Sequence, residues 1–195
     1  MVSLDGTPVD SGEEERAVGK GLLMSLQRRF RAFDEAIKLK RYEENAELRE
    51  KRDRVLRSLR DGLSRQFSAS ERKPRFDIVN QGSYAMGTGI RPLEGDYDID
   101  VGVLFDVPVT DFPDPTEVKG WVYKAVQSHT ANVEFRRNCI TVNYVSHGEP
   151  KYHVDLAIYA RSWWGGWFLA RGKQHSSYSQ KEWVNSNPKK LMAVV

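Results

Sequence analysis

Two aspartates lie at the start of an apolar strand in the segment Gln81–Val103, where their charges need compensation. Asp98 and Asp100 alternate with the apolar residues that begin at Ile99. Residues i and i+2 of a strand share a face, so the two carboxylates are expected roughly 6.5–7 Å apart. Ionised carboxylates this close repel each other, and a hard divalent cation such as Mg²⁺ relieves the repulsion. The spacing therefore predicts a metal site.

A third carboxylate, that of Asp155, lies in the later apolar run HVDLAIY, where an aspartate has no packing role. In register with Asp98 and Asp100 it would allow a second ion, and two ions can activate an attacking hydroxyl and hold a transferred phosphate. The pair of aspartates and Asp155 each have a simpler explanation when they are considered separately. A D-x-D pair is common on exposed strands, and Asp155 could pair with Lys151 or an arginine. The combination is what favours a catalytic site.

A glycine turn precedes the aspartates. Gly82-Ser83 closes a predicted strand and opens a helical turn. Glycine lets the backbone approach a phosphate closely, and the Ser83 hydroxyl and nearby N–H groups supply donors. Lys173, in GKQHSS, could also reach a phosphate, although a lysine in a surface loop is the simpler interpretation. His153 shares the predicted face of Asp155 and either approaches the site or is a polar edge residue.

The elements that would position these residues follow from apolar periodicity. Two helical stripes, with a joint near 42–45, are predicted to face a core: Leu26, Phe30, Phe33, Ile37, and then Leu48, Val55, Leu59, Leu63. Strands are predicted over 75–80, 97–107, 138–145, 151–160 and 163–169, and helices over 117–129, capped by Thr116, and from Asn187-Pro188 onward. The four tryptophans Trp163, Trp164, Trp167 and Trp183 are predicted to be core residues rather than base-stacking platforms. This order of elements indicates an α+β fold.

The composition narrows the partners and the compartment. The 195 residues, 39% apolar and 29% charged, suit one globular domain or a domain with an appended lobe. The net charge is +3, with basic residues outnumbering acidic ones 18 to 14 in residues 1–75 but not afterwards, 12 to 13. The nearly neutral sheet portion makes nucleic acid an improbable main partner. One cysteine, Cys139, excludes an internal disulfide, and no stretch approaches the ~20 apolar residues of a membrane helix. We expect a cytoplasmic protein without a membrane partner.

The site motifs together resemble a known superfamily. The set Gly82-Ser83, Gly87-Thr88, Asp98-Ile99-Asp100 and Asp155 is similar to the polymerase-β-type nucleotidyltransferases. More narrowly, Gln81–Val103 resembles the cGAS/DncV-like nucleotidyltransferases (CD-NTases), which make cyclic oligonucleotide signals in anti-phage defence.

A second segment carries the same resemblance. WVNSNPKKL, at 183–191, is similar to the family's segment after the core sheet, which typically has Asp where this chain has Asn187.

This resemblance implies a polymerase-β-like core, a mixed β-sheet with helices packed on one face, preceded by long N-terminal helices. The expected division is a flexible lead-in over 1–15, N-terminal helices over 16–73 packing on the core, and a catalytic core over 74–195. Family members usually continue into a helical lobe that is mostly absent here. We therefore expect a fragment, a partner chain that completes the fold, or a degenerate descendant.

The resemblance also implies a reaction. Nucleotidyl groups from ATP, GTP or pyrimidine triphosphates would be joined through ribose hydroxyls, with pyrophosphate released and two Mg²⁺ ions, or Mn²⁺ in their place. Asp98 and Asp100 would hold the metals, and Asp155 would complete the site and help deprotonate the acceptor. Gly82 and Ser83 would hold phosphates, with Gln81 and Thr88 supporting the turn. The alternatives are transfer to RNA or protein, and a catalytically impaired nucleotide-binding module.

Overall fold

The computed structural model describes residues 24, 26–36, 43–70, 73–90, 97–146 and 149–188. The chain divides into two compact units, Met1–Lys38 and Leu39–Val195. In the first unit residues 26–36 form helix α1. The side chains of Leu26, Phe30 and Phe33 are exposed, and the packing of the N-terminal helices on the core stays a prediction. Apolar period predicts a helix and its apolar face, but it does not specify what covers that face.

The second unit contains a seven-stranded mixed sheet. Its strands are β1 Phe76–Asn80, β2 Tyr97–Pro108, β3 Asn132–Phe135, β4 Ile140–Ser146, β5 Glu149–Arg161, β6 Trp167–Arg171 and β7 Glu182–Asn185. The order is β1-β2-β5-β4-β3, and β6 pairs with both β5 and β7. Among the described strands, only the central pair β2–β5 is parallel. A parallel pair requires a crossover, which here runs through α4, β3 and β4.

Two helices cover one face of this sheet. Helix α2 spans Glu43–Gln66 and α4 spans Pro115–Val126, while the short α3, Gly82–Met86, follows β1. The predicted stripe on α2 is buried with the apolar face of the sheet: Leu48, Val55, Leu59 and Leu63. Asp114 caps α4 by accepting a hydrogen bond from the backbone N–H of Thr116 at 2.9 Å, so the cap lies two residues before the predicted one. A mixed sheet with helices on one face confirms the α+β expectation.

The segment after β5 is a hairpin turn rather than the start of a strand. Ser162–Gly166 reverses the chain, with Gly165 and Gly166 at φ 85° and 93°, and β6 begins only at Trp167. Trp163 and Trp164 are therefore 78% and 94% exposed, and the prediction that they are core residues is wrong. The glycine pair that favoured a bulge supplies instead the left-handed backbone that a tight turn needs.

The helices α2 and α4 approach each other most closely at a glycine. A Cβ on Gly62 would lie 2.5 Å from the Ala125 Cα, whereas a Cβ on Gly120 would meet no atom within 4 Å. We expect Gly62→Ala to lower the free energy of unfolding by about 1–3 kcal/mol, because overpacking exceeds the gain in helix propensity. The control Gly120→Ala should raise it by up to about 1 kcal/mol. Urea denaturation measures both, and equal effects would contradict the close approach.

Candidate active site

The parallel pairing of β2 and β5 brings the predicted aspartates side by side. Asp100 is the register partner of Asp155, and Asp98 is the partner of His153. The alternate residues of β2, such as Ile99 and Val101, are fully buried under the helices. Since side chains alternate along a strand, all four polar residues project from the face opposite α2 and α4. The structure thus places the three carboxylates together at one position of the sheet.

Three of these side chains form a compact donor set. One ligand atom each from Asp98, His153 and Asp155 lie within 4.8 Å of one another. The His153 Nε2 is 3.2 Å from the Asp98 Oδ1. With Asp100 included, the set consists of three carboxylates and one imidazole. Most of its ligand atoms are therefore oxygens, which a hard divalent cation prefers. His153, which the sequence indicated only by its shared face, lies inside the cluster.

Asp155 is held in place by a residue that sequence analysis missed. The hydroxyl of the fully buried Thr141 on β4 donates a hydrogen bond to the Asp155 Oδ1. Thr141 is the register partner of Asp155, so the contact follows from strand pairing. The alternation of Thr141 and Asn143 with apolar residues in ITVNYV could have indicated a polar face, but not which strand it meets.

Cys139 lies beside this contact, its Sγ 3.5 Å from the Thr141 Oγ1. Burial raises the pKa of its thiol to about 11, with the charge of Asp155 adding to the effect. At neutral pH the thiol is protonated, which is unlike an activated cysteine nucleophile.

Asp100 is the most constrained carboxylate. Burial, and after it the charges of Asp98 and Asp155, raise the pKa of Asp100 from 3.8 to about 6, while His153 opposes them. Its Oδ2 occupies the space beside Gly82, where a Cβ would lie only 1.9 Å away. Gly82 has φ 66°, a conformation that also favours glycine. The glycine turn and the carboxylate cluster are therefore in direct contact.

The predicted nucleotide-binding residues occupy the turn after β1. The Gln81 backbone N–H donates to the Asp100 carbonyl at 2.9 Å, and its side-chain Nε2 donates to the Tyr159 hydroxyl at 3.0 Å. The Thr88 N–H closes the turn on the Ser83 carbonyl at 2.9 Å. Ser83 and Thr88 themselves are exposed. Gln81 and Thr88 thus support the turn, as the resemblance implies.

Lys173 lies apart from this arrangement. It occupies an exposed loop after β6, where its backbone N–H donates to the Ser176 hydroxyl. Among the described residues no hydrogen bond or ion pair joins its side chain to the carboxylates. Its proposed phosphate contact stays a prediction.

A buried lysine anchors the neighbouring loops. The Lys119 Nζ, with no exposed surface, donates to the carbonyls of Arg136, Arg137 and Gly172 at 2.6, 2.9 and 2.9 Å. It also lies 4.6 Å from the centroid of the Phe135 ring. Burial lowers the pKa of Lys119 to about 8, so the ammonium stays charged at neutral pH. The hydrogen bonds of this ammonium connect α4 to the turn before β4, the strand that contains Thr141.

The contact between Gly82 and Asp100 yields a matched pair of substitutions. Gly82 and Gly87 have similar φ values, 66° and 69°, but only Gly82 has a neighbour where a Cβ would lie. We expect both alanine variants to lose about 1 kcal/mol of stability from backbone strain. Only Gly82→Ala should also displace Asp100 and weaken Mg²⁺ affinity at least about tenfold by isothermal titration calorimetry, a loss of about 1.4 kcal/mol. Equal Mg²⁺ affinities in the two variants would contradict this geometry.

The fold and the acidic face agree with the polymerase-β-type core that the motifs predicted. Residues 74–159 match the family described as "Cyclic GMP-AMP synthase DncV-like, nucleotidyltransferase domain". This part of the chain is therefore similar to the nucleotidyltransferase domains of the DncV-like family, in agreement with the resemblance that the motifs indicated.

Solved structures agree on the fold. The Vibrio cholerae DncV cyclic AMP-GMP synthase, a prokaryotic cGAS homologue, is similar with a TM-score of 0.61 and 18% identity, over 82% of this chain and 57% of that one. The Bradyrhizobium diazoefficiens CD-NTase CdnG, solved with GTP, gives 0.59 and 19%, over 80% and 42%. DncV with the linear intermediate 5′ pppA(3′,5′)pG gives 0.59 and 18%, over 82% and 56%. This chain thus spans roughly half the length of these proteins.

Proposed function

We propose that this chain is the catalytic core of a Mg²⁺-dependent nucleotidyltransferase that joins nucleoside triphosphates into a cyclic oligonucleotide, with release of pyrophosphate. The observation that carries the proposal is the convergence of Asp98, Asp100 and Asp155 beside the Gly82-Ser83 turn in a DncV-like domain. DncV binds GTP and a linear dinucleotide intermediate, which supports triphosphates as substrates. The product would serve as a signal in anti-phage defence in the cytoplasm.

The aspartates and the residues that contact them each have a role in the proposed reaction. Bound Mg²⁺, or Mn²⁺ in its place, supplies charge neutralisation and Lewis acidity at the transferred phosphate. Asp98 and Asp100 supply the oxygen ligands, and Gly82 leaves room for the Asp100 carboxylate against the turn. Thr141 satisfies one oxygen of Asp155, so the carboxylate is oriented to accept the proton of the attacking ribose hydroxyl.

Incubation of the chain with Mg²⁺ and labelled ATP, GTP, CTP and UTP tests the proposal. We expect phosphatase-resistant products, since a cyclic oligonucleotide has no terminal phosphate, together with release of pyrophosphate. Labelled RNA or protein would identify the other acceptors instead. Retained nucleotide binding without any turnover would show a binding module and contradict the proposed activity.

A further inference from the structure

A basic groove runs between helix α2 and the edge strand β1, and we refer to it as the edge groove. It has two adjoining parts of about 610 and 380 Å³, both lined by Arg60 and Ile78. The groove is separate from the carboxylates, because α2 packs on the opposite face of the sheet. Its apolar lining consists of Leu56, Leu63, Phe67, Phe76 and Ile78.

The charge of the edge groove is only partly compensated. Arg52 is paired with Asp53 at 2.9 Å, and the exposed Asp77 adds a second carboxylate to the lining. Arg57, Arg60 and Lys73 line the groove, are exposed, and have no ion-pair partner within the described part of the chain. A ligand for this groove would therefore carry negative charge beside apolar groups.

The backbone of β1 offers unpaired groups to the same groove. In the described ranges β1 pairs only with β2. The Gln81 N–H binds the Asp100 carbonyl, and the Asp106 N–H binds the Arg75 carbonyl, so the odd-numbered residues point toward β2. By alternation, the N–H and C=O groups of the even-numbered residues point outward: Phe76, Ile78 and Asn80. An open edge of this kind is a template for an added strand.

We propose that the free edge of β1 takes an extended acidic segment of another protein, with acidic side chains at alternate positions contacting Arg57 and Arg60. Alternate side chains of a strand point to one face about every 7 Å. The arginines at 52, 57 and 60 spread over about 12 Å of α2, which matches two or three such side chains. Main-chain hydrogen bonds to the β1 edge supply affinity, and the arginines select for acidic residues.

The test uses a fluorescein-labelled eight-residue peptide of alternating glutamate and valine as the probe for the 195-residue chain. Fluorescence anisotropy should show saturable binding that Arg57→Gln with Arg60→Gln weakens at least about tenfold. Arg65→Gln, an exposed arginine of α2 outside the groove, is the matched control and should leave affinity unchanged. Peptide binding should also slow amide hydrogen exchange at Phe76, Ile78 and Asn80.

Three results would overturn this proposal. The first is no saturable binding up to about 1 mM peptide. The second is equal affinity for a peptide with its glutamates in one block, or for one N-methylated at every residue, since neither can combine strand pairing with alternating charge. The third is tight binding of a short DNA or RNA duplex that the peptide does not compete with, because the arginines would then form a nucleic-acid surface. Asp98→Asn should leave peptide affinity unchanged, which separates this site from the proposed catalytic one.

Discussion

Replacing both Asp98 and Asp100 with asparagine is expected to lower nucleotidyl transfer at least about a thousandfold, equivalent to about 4 kcal/mol of transition-state stabilisation. The same variant should lose the rise in melting temperature that Mg²⁺ produces in the unaltered chain. Both effects follow because the carboxylates that would bind the ion lie together on β2. Asp111→Asn, an exposed aspartate in the turn after β2, is the control and should change neither. A double variant that keeps its Mg²⁺-dependent melting shift would contradict the proposed roles.

The single Asp100→Asn variant tests how this carboxylate affects the stability of the fold when no metal is bound. The folded-state pKa of Asp100, about 6, lies above the ordinary 3.8, so the folded state holds its proton more tightly. Its contribution to stability is complete below pH 3.8 and is lost as the pH rises through about 6. At pH 7 without metal, Asp100→Asn should therefore raise the free energy of unfolding by about 1–2 kcal/mol, because solvent screens part of the effect at this partly exposed carboxylate. Urea unfolding at pH 4 and pH 7 measures this, and a variant with unchanged pH dependence would contradict it.

Replacing Lys119 with methionine is expected to lower the free energy of unfolding by about 3–5 kcal/mol, because three carbonyls, one buried and two partly buried, lose the buried ammonium as their donor. For a chain of this size, each kcal/mol corresponds to about 2–4 °C in the melting temperature. Methionine keeps most of the side-chain volume, so the loss reports the ammonium rather than a cavity. Thermal unfolding followed by circular dichroism measures it.

Lys124→Met is the matched control for this prediction, since Lys124 lies on the same helix with its side chain exposed. It should shift the melting temperature by less than about 2 °C. If the two variants unfold alike, the buried ammonium is not what holds the turn before β4.

The sequence predicted the central part of this architecture well because its signals are strictly periodic. The run from Asp98 to Val103 alternates without interruption, and in the structure its apolar residues lie on one face and its two aspartates on the other. The four-residue strands β3 and β7 were missed because NVEF and EWVN are too short to show a period. The predicted helix after Asn187-Pro188 lies almost wholly outside the described residues.

The acidic residues of the candidate site could be predicted from the sequence, but the residues that hold the site in place could not. Asp98, Asp100 and Asp155 were identifiable because a charge in an apolar strand conflicts with burial. Thr141 and Lys119 carry no such conflict in the sequence, since threonine is common in strands and lysine on helix surfaces. Their importance comes from pairings between segments far apart in the chain, which local patterns do not contain.

The parallel pairing of β2 and β5 also has a kinetic consequence. Asp100 and Asp155 become neighbours only after the intervening segment, from the end of β2 through α4, β3 and β4, has folded back over the sheet. Contacts of such long sequence separation form late, because the entropy of closing the loop must be overcome first. Cation affinity should therefore emerge in the last refolding phase, which makes it a reporter of complete assembly rather than of early collapse.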